Sequence, residues 1–137
     1  MDLDARRRLE DLLDREIDAA RLLASILAAE RTALTGPSAE AVQTMAAEKI
    51  QLIRTIETLE EERRAQGAAA GQALPAWRTL LELMAGCRAA NEINGYIINM
   101  RRGQIKQLID IVRGGAPVTY GPQGKTFAKA LRALAQA

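Results

Sequence analysis

Val42–Arg63 reads VQTMAAEKIQLIRTIETLEEER, with no glycine or proline to interrupt it. Val42, Met45, Lys49, Leu52, Ile56, Leu59 and Arg63 recur at alternating spacings of three and four. That is the heptad period of a helix laying one seam against its neighbours. The pattern predicts a helix over about 38–66, on the order of 40 Å long at 1.5 Å per residue. Ser38 suits its N-cap, and Glu40 suits the positive end of the helix dipole.

Working outward, Thr35-Gly36-Pro37-Ser38 breaks the pattern, because proline cannot continue a helical ladder and Gly36 tolerates a left-handed cap. Before the break, Leu9, Leu13, Ile17, Ala20, Ala24 and Leu27 form another helical stripe, predicting a first helix over about 3–34 capped by Asp2 or Asp4. After Gln66, Gly67-Ala68-Ala69-Ala70-Gly71 reads as a flexible link. Pro75 then stands where a first helical residue would. A third stripe follows: Leu80, Met84, Cys87, Asn91, Asn94, Ile98, Arg101, Ile105, Leu108 and Val112. It predicts a helix over about 75–113, stopped by Gly114-Gly115.

Links this short make consecutive helices antiparallel neighbours. No segment sustains the period-two alternation of a strand. The expected fold is therefore all-α: an elongated antiparallel three-helix bundle or coiled coil over 1–113. A mobile tail over 114–137 follows, with a short amphipathic helix at about 125–135 placing Phe127, Leu131 and Leu134 on one face.

The composition excludes more than it assigns. With no histidine, the usual acid–base relays and histidine-bearing metal sites cannot be built. Neither a catalytic residue nor a metal, a cofactor or a small-molecule substrate is expected. The single Cys87 lies on the apolar stripe with no base beside it and reads as packing. Gly121-Pro122-Gln123-Gly124-Lys125-Thr126 ends like a phosphate-binding loop, but the glycine required five positions before Gly124 is Thr119. Met1-Asp2-Leu3-Asp4-Ala5-Arg6-Arg7-Arg8 lacks the apolar core expected of a secretory signal peptide. The longest apolar run, Leu22 to Ala29, is far shorter than the roughly 20 residues that span a bilayer. A cytoplasmic location is expected.

Charge is unevenly spread. Residues 101–137 carry seven basic residues and one acid, a net of +6, against −4 for residues 1–100. That basic end prefers an acidic partner. Nucleic acid is a weaker expectation, since no aromatic stacking platform and no helix-turn-helix accompanies it.

Asn91-Glu92-Ile93-Asn94-Gly95 interrupts the third stripe with amides and a helix-weakening glycine. Two readings stand. Polar seam residues fix register in coiled coils; alternatively, the helix is only partly covered by its own bundle. Ile97, Ile98, Met100, Ile105, Leu108, Ile109 and Val112 surround so much of this helix that two neighbours should not cover it. The helix is then either central or offers one face to a guest helix.

Asn91-x-x-Asn94-Gly95-x-Ile97-Ile98 with Arg101, followed by Thr119-Tyr120-Gly121-Pro122-x-Gly124, resembles the C-terminal signature of the FlgN family. The segment from Ala47 through Glu60 is similar to that family's second helix, and the alanine-rich link over 65–73 departs from it. The resemblance implies a cytoplasmic type III export chaperone. Such a chaperone binds the C-terminal helical segments of flagellar hook–filament junction proteins, prevents premature assembly and delivers them to the export gate. Carried onto this chain, it implies a substrate-binding face of Asn94, Ile97, Ile98, Arg101, Ile105, Leu108, Ile109 and Val112, extended by Phe127 and Leu131. Tyr120 matches the position implied to dock on the membrane export gate protein. The rival readings are a homo-oligomeric coiled-coil adaptor and, less favoured, a helical nucleic-acid-binding protein using the basic C-terminal region.

Overall fold

The computed structural model describes residues 2–114. They form three helices, α1 (Leu3–Thr35), α2 (Ala39–Gln72) and α3 (Pro75–Val112), and no strand occurs among the described residues. The chain divides into two compact units, Met1–Ala90 and Asn91–Ala137. The first contains α1, α2 and the opening half of α3, packed as a three-helix bundle.

Local chemistry sets the helix ends. Asp2 caps α1 by accepting from the Ala5 N–H at 2.6 Å, and Ser38 caps α2 by accepting from the Ala41 N–H at 3.1 Å. Each satisfies a donor that the first turn leaves without an intrahelical partner. Gly36 does not take the left-handed cap expected of it. Its backbone is extended (φ −97°, ψ 176°) while its N–H donates to the Ala33 carbonyl.

The predicted link after Gln66 is a correction. α2 continues to Gln72, because Ala68, Ala69 and Ala70 are the strongest helix formers and carry the ladder onward. The break survives only as a kink at Gly67, whose φ of 134° and ψ of 97° are open to glycine alone. The real connection is Ala73-Leu74. The Leu74 N–H donates to the Gly71 carbonyl, and its side chain is buried at the end of the core.

Two apolar clusters fill the first unit. Leu9, Leu13, Ile17 and Ala20 of α1 meet Leu74 and Leu80, with Trp77 and Met84 packed alongside. Further along, Leu23 and Leu27 meet Ile56 and Cys87. Ascending positions on α1 thus meet ascending positions on α3, so these two run parallel, and both are antiparallel to α2. The α1 stripe is broader than predicted. Leu12, Leu23 and Leu34 are buried and Ala24 is exposed, because a helix with two neighbours needs a wider apolar face than a single seam.

Two members of the α2 heptad are charged, and both are seated in the interface. Arg63 donates from Nε to Glu16 Oε2 at 2.8 Å, with the two side chains only 3% and 2% exposed. Its guanidinium lies 4.5 Å from the centre of the Trp77 ring. Lys49 Nζ stands 3.0 Å from Glu30 Oε2. Glu16 and Glu30 are 14 residues apart, and so are Lys49 and Arg63, in reverse order. Both pairs therefore close in one antiparallel register of α1 on α2, and sliding one helix along the other separates both. Breaking a buried ion pair of this kind costs about 3–5 kcal/mol.

Candidate functional site

α3 is one unbroken helix, and its stripe keeps the same phase from Leu80 to Val112. What changes along it is cover. Leu80, Cys87 and Asn94 are buried; Ile98 and Arg101 are half-buried. Ile105 is then 55% exposed, Leu108 62% and Val112 86%. Ile109 sits beside them and is also exposed. Four aliphatic side chains over eight residues thus form one continuous apolar strip facing solvent. Scattered exposed leucines are ordinary in any protein, whereas these four are contiguous at helical spacing.

Of the residues expected to contact a partner, Ile105, Leu108, Ile109 and Val112 lie together on the open strip. Ile97, Ile98 and Arg101 lie at its half-covered margin, and Asn94 is fully buried. Gly95 is buried too, so the amide-and-glycine gap is not an open notch. Tyr120, Phe127 and Leu131 lie outside the described residues.

Beside Met100, which the sequence places on the apolar circumference of α3, a second line includes residues that reading does not name. Ile93, Tyr96 and Met100 are exposed at spacings of three and four, and Ile111 continues the same side. The signal was available in the apolar circumference of this helix. Ile93, Tyr96 and Ile111 fall outside the heptad stripe, which follows a single face.

Other recesses are less suited to a helix. A groove of about 530 Å³ at the α1–α2 turn is lined by Ala29, Ala33, Ala41 and Met45 among others. One of about 420 Å³ runs beside Ala24, Ala28, Arg31 and Ala90. Both mix alanines with polar side chains, Thr32, Ser38, Glu40 and Thr44 in the first and Arg31, Thr32 and Thr35 in the second, and neither presents a continuous aliphatic strip. The Arg31 guanidinium also donates to the Ala90 carbonyl at 3.4 Å.

Among the described residues no group of three or more cysteine, aspartate or glutamate side chains is placed to hold a metal. Burial pushes the Cys87 thiol above its ordinary range, away from a reactive thiolate. The thiol donates to the Ala20 carbonyl at 3.4 Å. Burial likewise raises the Glu16 carboxyl, and the Arg63 beside it holds that rise back. No described helix is long and apolar enough to cross a membrane.

The family model described as FlgN protein matches residues 1–127 of the 137. Neither a curated protein nor a solved structure matches the chain.

Proposed function

This chain belongs to the FlgN family, a family of flagellar export chaperones, and from that premise we propose that the open strip of α3 is its cargo surface. The cargo is the C-terminal helical segment of a hook–filament junction protein. An amphipathic cargo helix lays its own apolar stripe onto Ile105, Leu108, Ile109 and Val112, in the helix-against-helix mode of recognition. Each apolar side chain fully buried stabilises the complex by about 1.5–3 kcal/mol, before the cost of association is subtracted. Cargo held this way has its assembly face covered, so premature assembly is prevented without any catalytic step.

The same proposal places the chaperone in the cytoplasm and has it deliver cargo to the membrane export gate. Tyr120 takes the docking role there, and Phe127 and Leu131 join the cargo contact. The observation that carries the reading is the loss of cover along α3 while its apolar stripe continues.

Leu108→Asp and Ile105→Asp test it. The exposure of both side chains predicts retained helicity and an unchanged thermal transition, while binding of a junction-protein C-terminal peptide is lost. Unfolding of both variants would show that the strip is core. Retained binding in folded variants would show that the cargo sits elsewhere. A strip occupied by a second copy would appear as a dimer across dilution, and both aspartate variants would dissociate it.

A further inference from the structure

The apolar strip has two unlike edges. Arg102, Lys106 and Arg113 are all exposed. They are separated by one helical turn and then two, so at 100° per residue they fall within about 40° of each other around the axis. That row borders the strip on the side of Ile109. Along the other edge stand Gln104 and Ile111, both uncharged and exposed. Asp110, the one acid between 101 and 114, lies beyond the cationic row and away from the strip. Arg101, half-buried within the strip, plays no part in the row.

Resting on the reading of this strip as the cargo surface, we propose that the strip selects its occupant by charge. The partner is an amphipathic helix bearing carboxylates along one edge of its apolar stripe, the edge that meets Arg102, Lys106 and Arg113. Apolar contact holds such a helix on the strip. The one-sided row fixes which way round it lies, because a helix turned end for end presents its other edge. Opposite charges across the seam favour this partner, and the same row repels a helix with a basic edge.

Other occupants fit less well. A membrane-surface helix carries cations across its polar face and aromatic residues on its apolar one; residues 101–114 have a single cationic edge and no aromatic residue. Nucleic acid would satisfy the row and leave four aliphatic side chains in water. An antiparallel second copy would set the cationic row against itself.

Three peptides sharing one apolar stripe, with glutamate, glutamine or lysine along one edge, test the proposal against the full-length chain. Titration calorimetry should find the glutamate peptide about tenfold tighter than the glutamine one, the scale of three exposed ion pairs. High salt should erase most of that difference. In the folded variant Arg102→Glu/Lys106→Glu/Arg113→Glu, the lysine peptide should become the tightest, an inversion that damage to the fold does not produce. Equal binding of the glutamate and glutamine peptides overturns charge selection and leaves the cargo strip standing. Failure of all three to bind overturns the strip itself. Binding to anionic vesicles in place of peptide, or a dimer that Leu108→Asp dissociates, overturns the proposal in favour of a lipid surface or a second copy.

Discussion

Leu80 and Leu108 occupy equivalent heptad positions of one continuous helix, four heptads apart, yet one is 4% exposed and the other 62%. Around Leu80 the bundle supplies Leu9, Leu13 and Ile17 from α1 and closes with Leu74. Around Leu108 the neighbours along α3 are themselves exposed. The period of a stripe therefore states which side of a helix seeks a neighbour, and is silent on whether the chain provides one. The proposed cargo surface is the region where the stripe outruns its cover, and apolar area left in water there is free energy that a guest helix would recover.

The cations make the widest test of this contrast. Arg63 is buried on Glu16 and against Trp77, whereas Arg102 is solvated. Arg63→Ala should cost about 3–5 kcal/mol in urea denaturation, and Arg102→Ala no more than about 0.5 kcal/mol. The Arg63 deficit should also depend on pH. Burial already raises the folded-state carboxyl of Glu16 above its ordinary value of 4.5, and Arg63 opposes that rise. A raised carboxyl contributes its stability below the unfolded-state value and loses it as pH climbs through the folded one. Without Arg63 the folded value moves higher still, so the loss extends over a wider range. The deficit should be larger at neutral pH than near the unfolded-state value, and a deficit flat with pH would mean that Glu16 is not buried as a charge.

Next in size are the leucines themselves. Leu80→Ala should cost about 2–5 kcal/mol, the range for truncating a packed core side chain. Leu108→Ala should stay within about 0.5 kcal/mol. Comparable costs at the two positions would mean that the strip is covered in solution and that the contrast between the halves of α3 is false.

How far the sequence carries this picture varies by element. The α2 seam, the Ser38 cap and the start of α3 at Pro75 follow from short-range chemistry that each residue brings with it, and all three were legible. The width of the apolar face on α3 was legible too, but not whether the helix lies at the centre or leaves one face open, because that depends on where its neighbours end. Burial of Asn94 was not, because one amide reads alike in a groove and in a core. The pairing of Glu16 with Arg63 was equally hidden. The heptad of α2 locates Arg63 at the seam, but only the register between two helices says which acid it meets. α1 offers several acids at neighbouring turns, and the choice among them belongs to packing.

Gly67 and Gly71 give the smallest effects and the finest discrimination, because the sequence treats them alike and the bundle does not. Gly67 holds φ at 134°, where any Cβ strains the backbone however much room surrounds it. Gly67→Ala should therefore destabilise by about 1–3 kcal/mol. Gly71 is buried in the same helix, and an added Cβ would meet Arg63 Cγ and Cδ at 3.6 Å and Leu9 Cδ2 at 3.9 Å. Those are ordinary van der Waals separations, so Gly71→Ala should stabilise by about 0.5–1 kcal/mol through helix propensity. Opposite signs four residues apart would identify Gly67 as the true bend and Gly71 as bundle interior. Destabilisation by both would mean that the end of α2 behaves as a link in solution, and the Arg63 seat would then lose the helix that supports it.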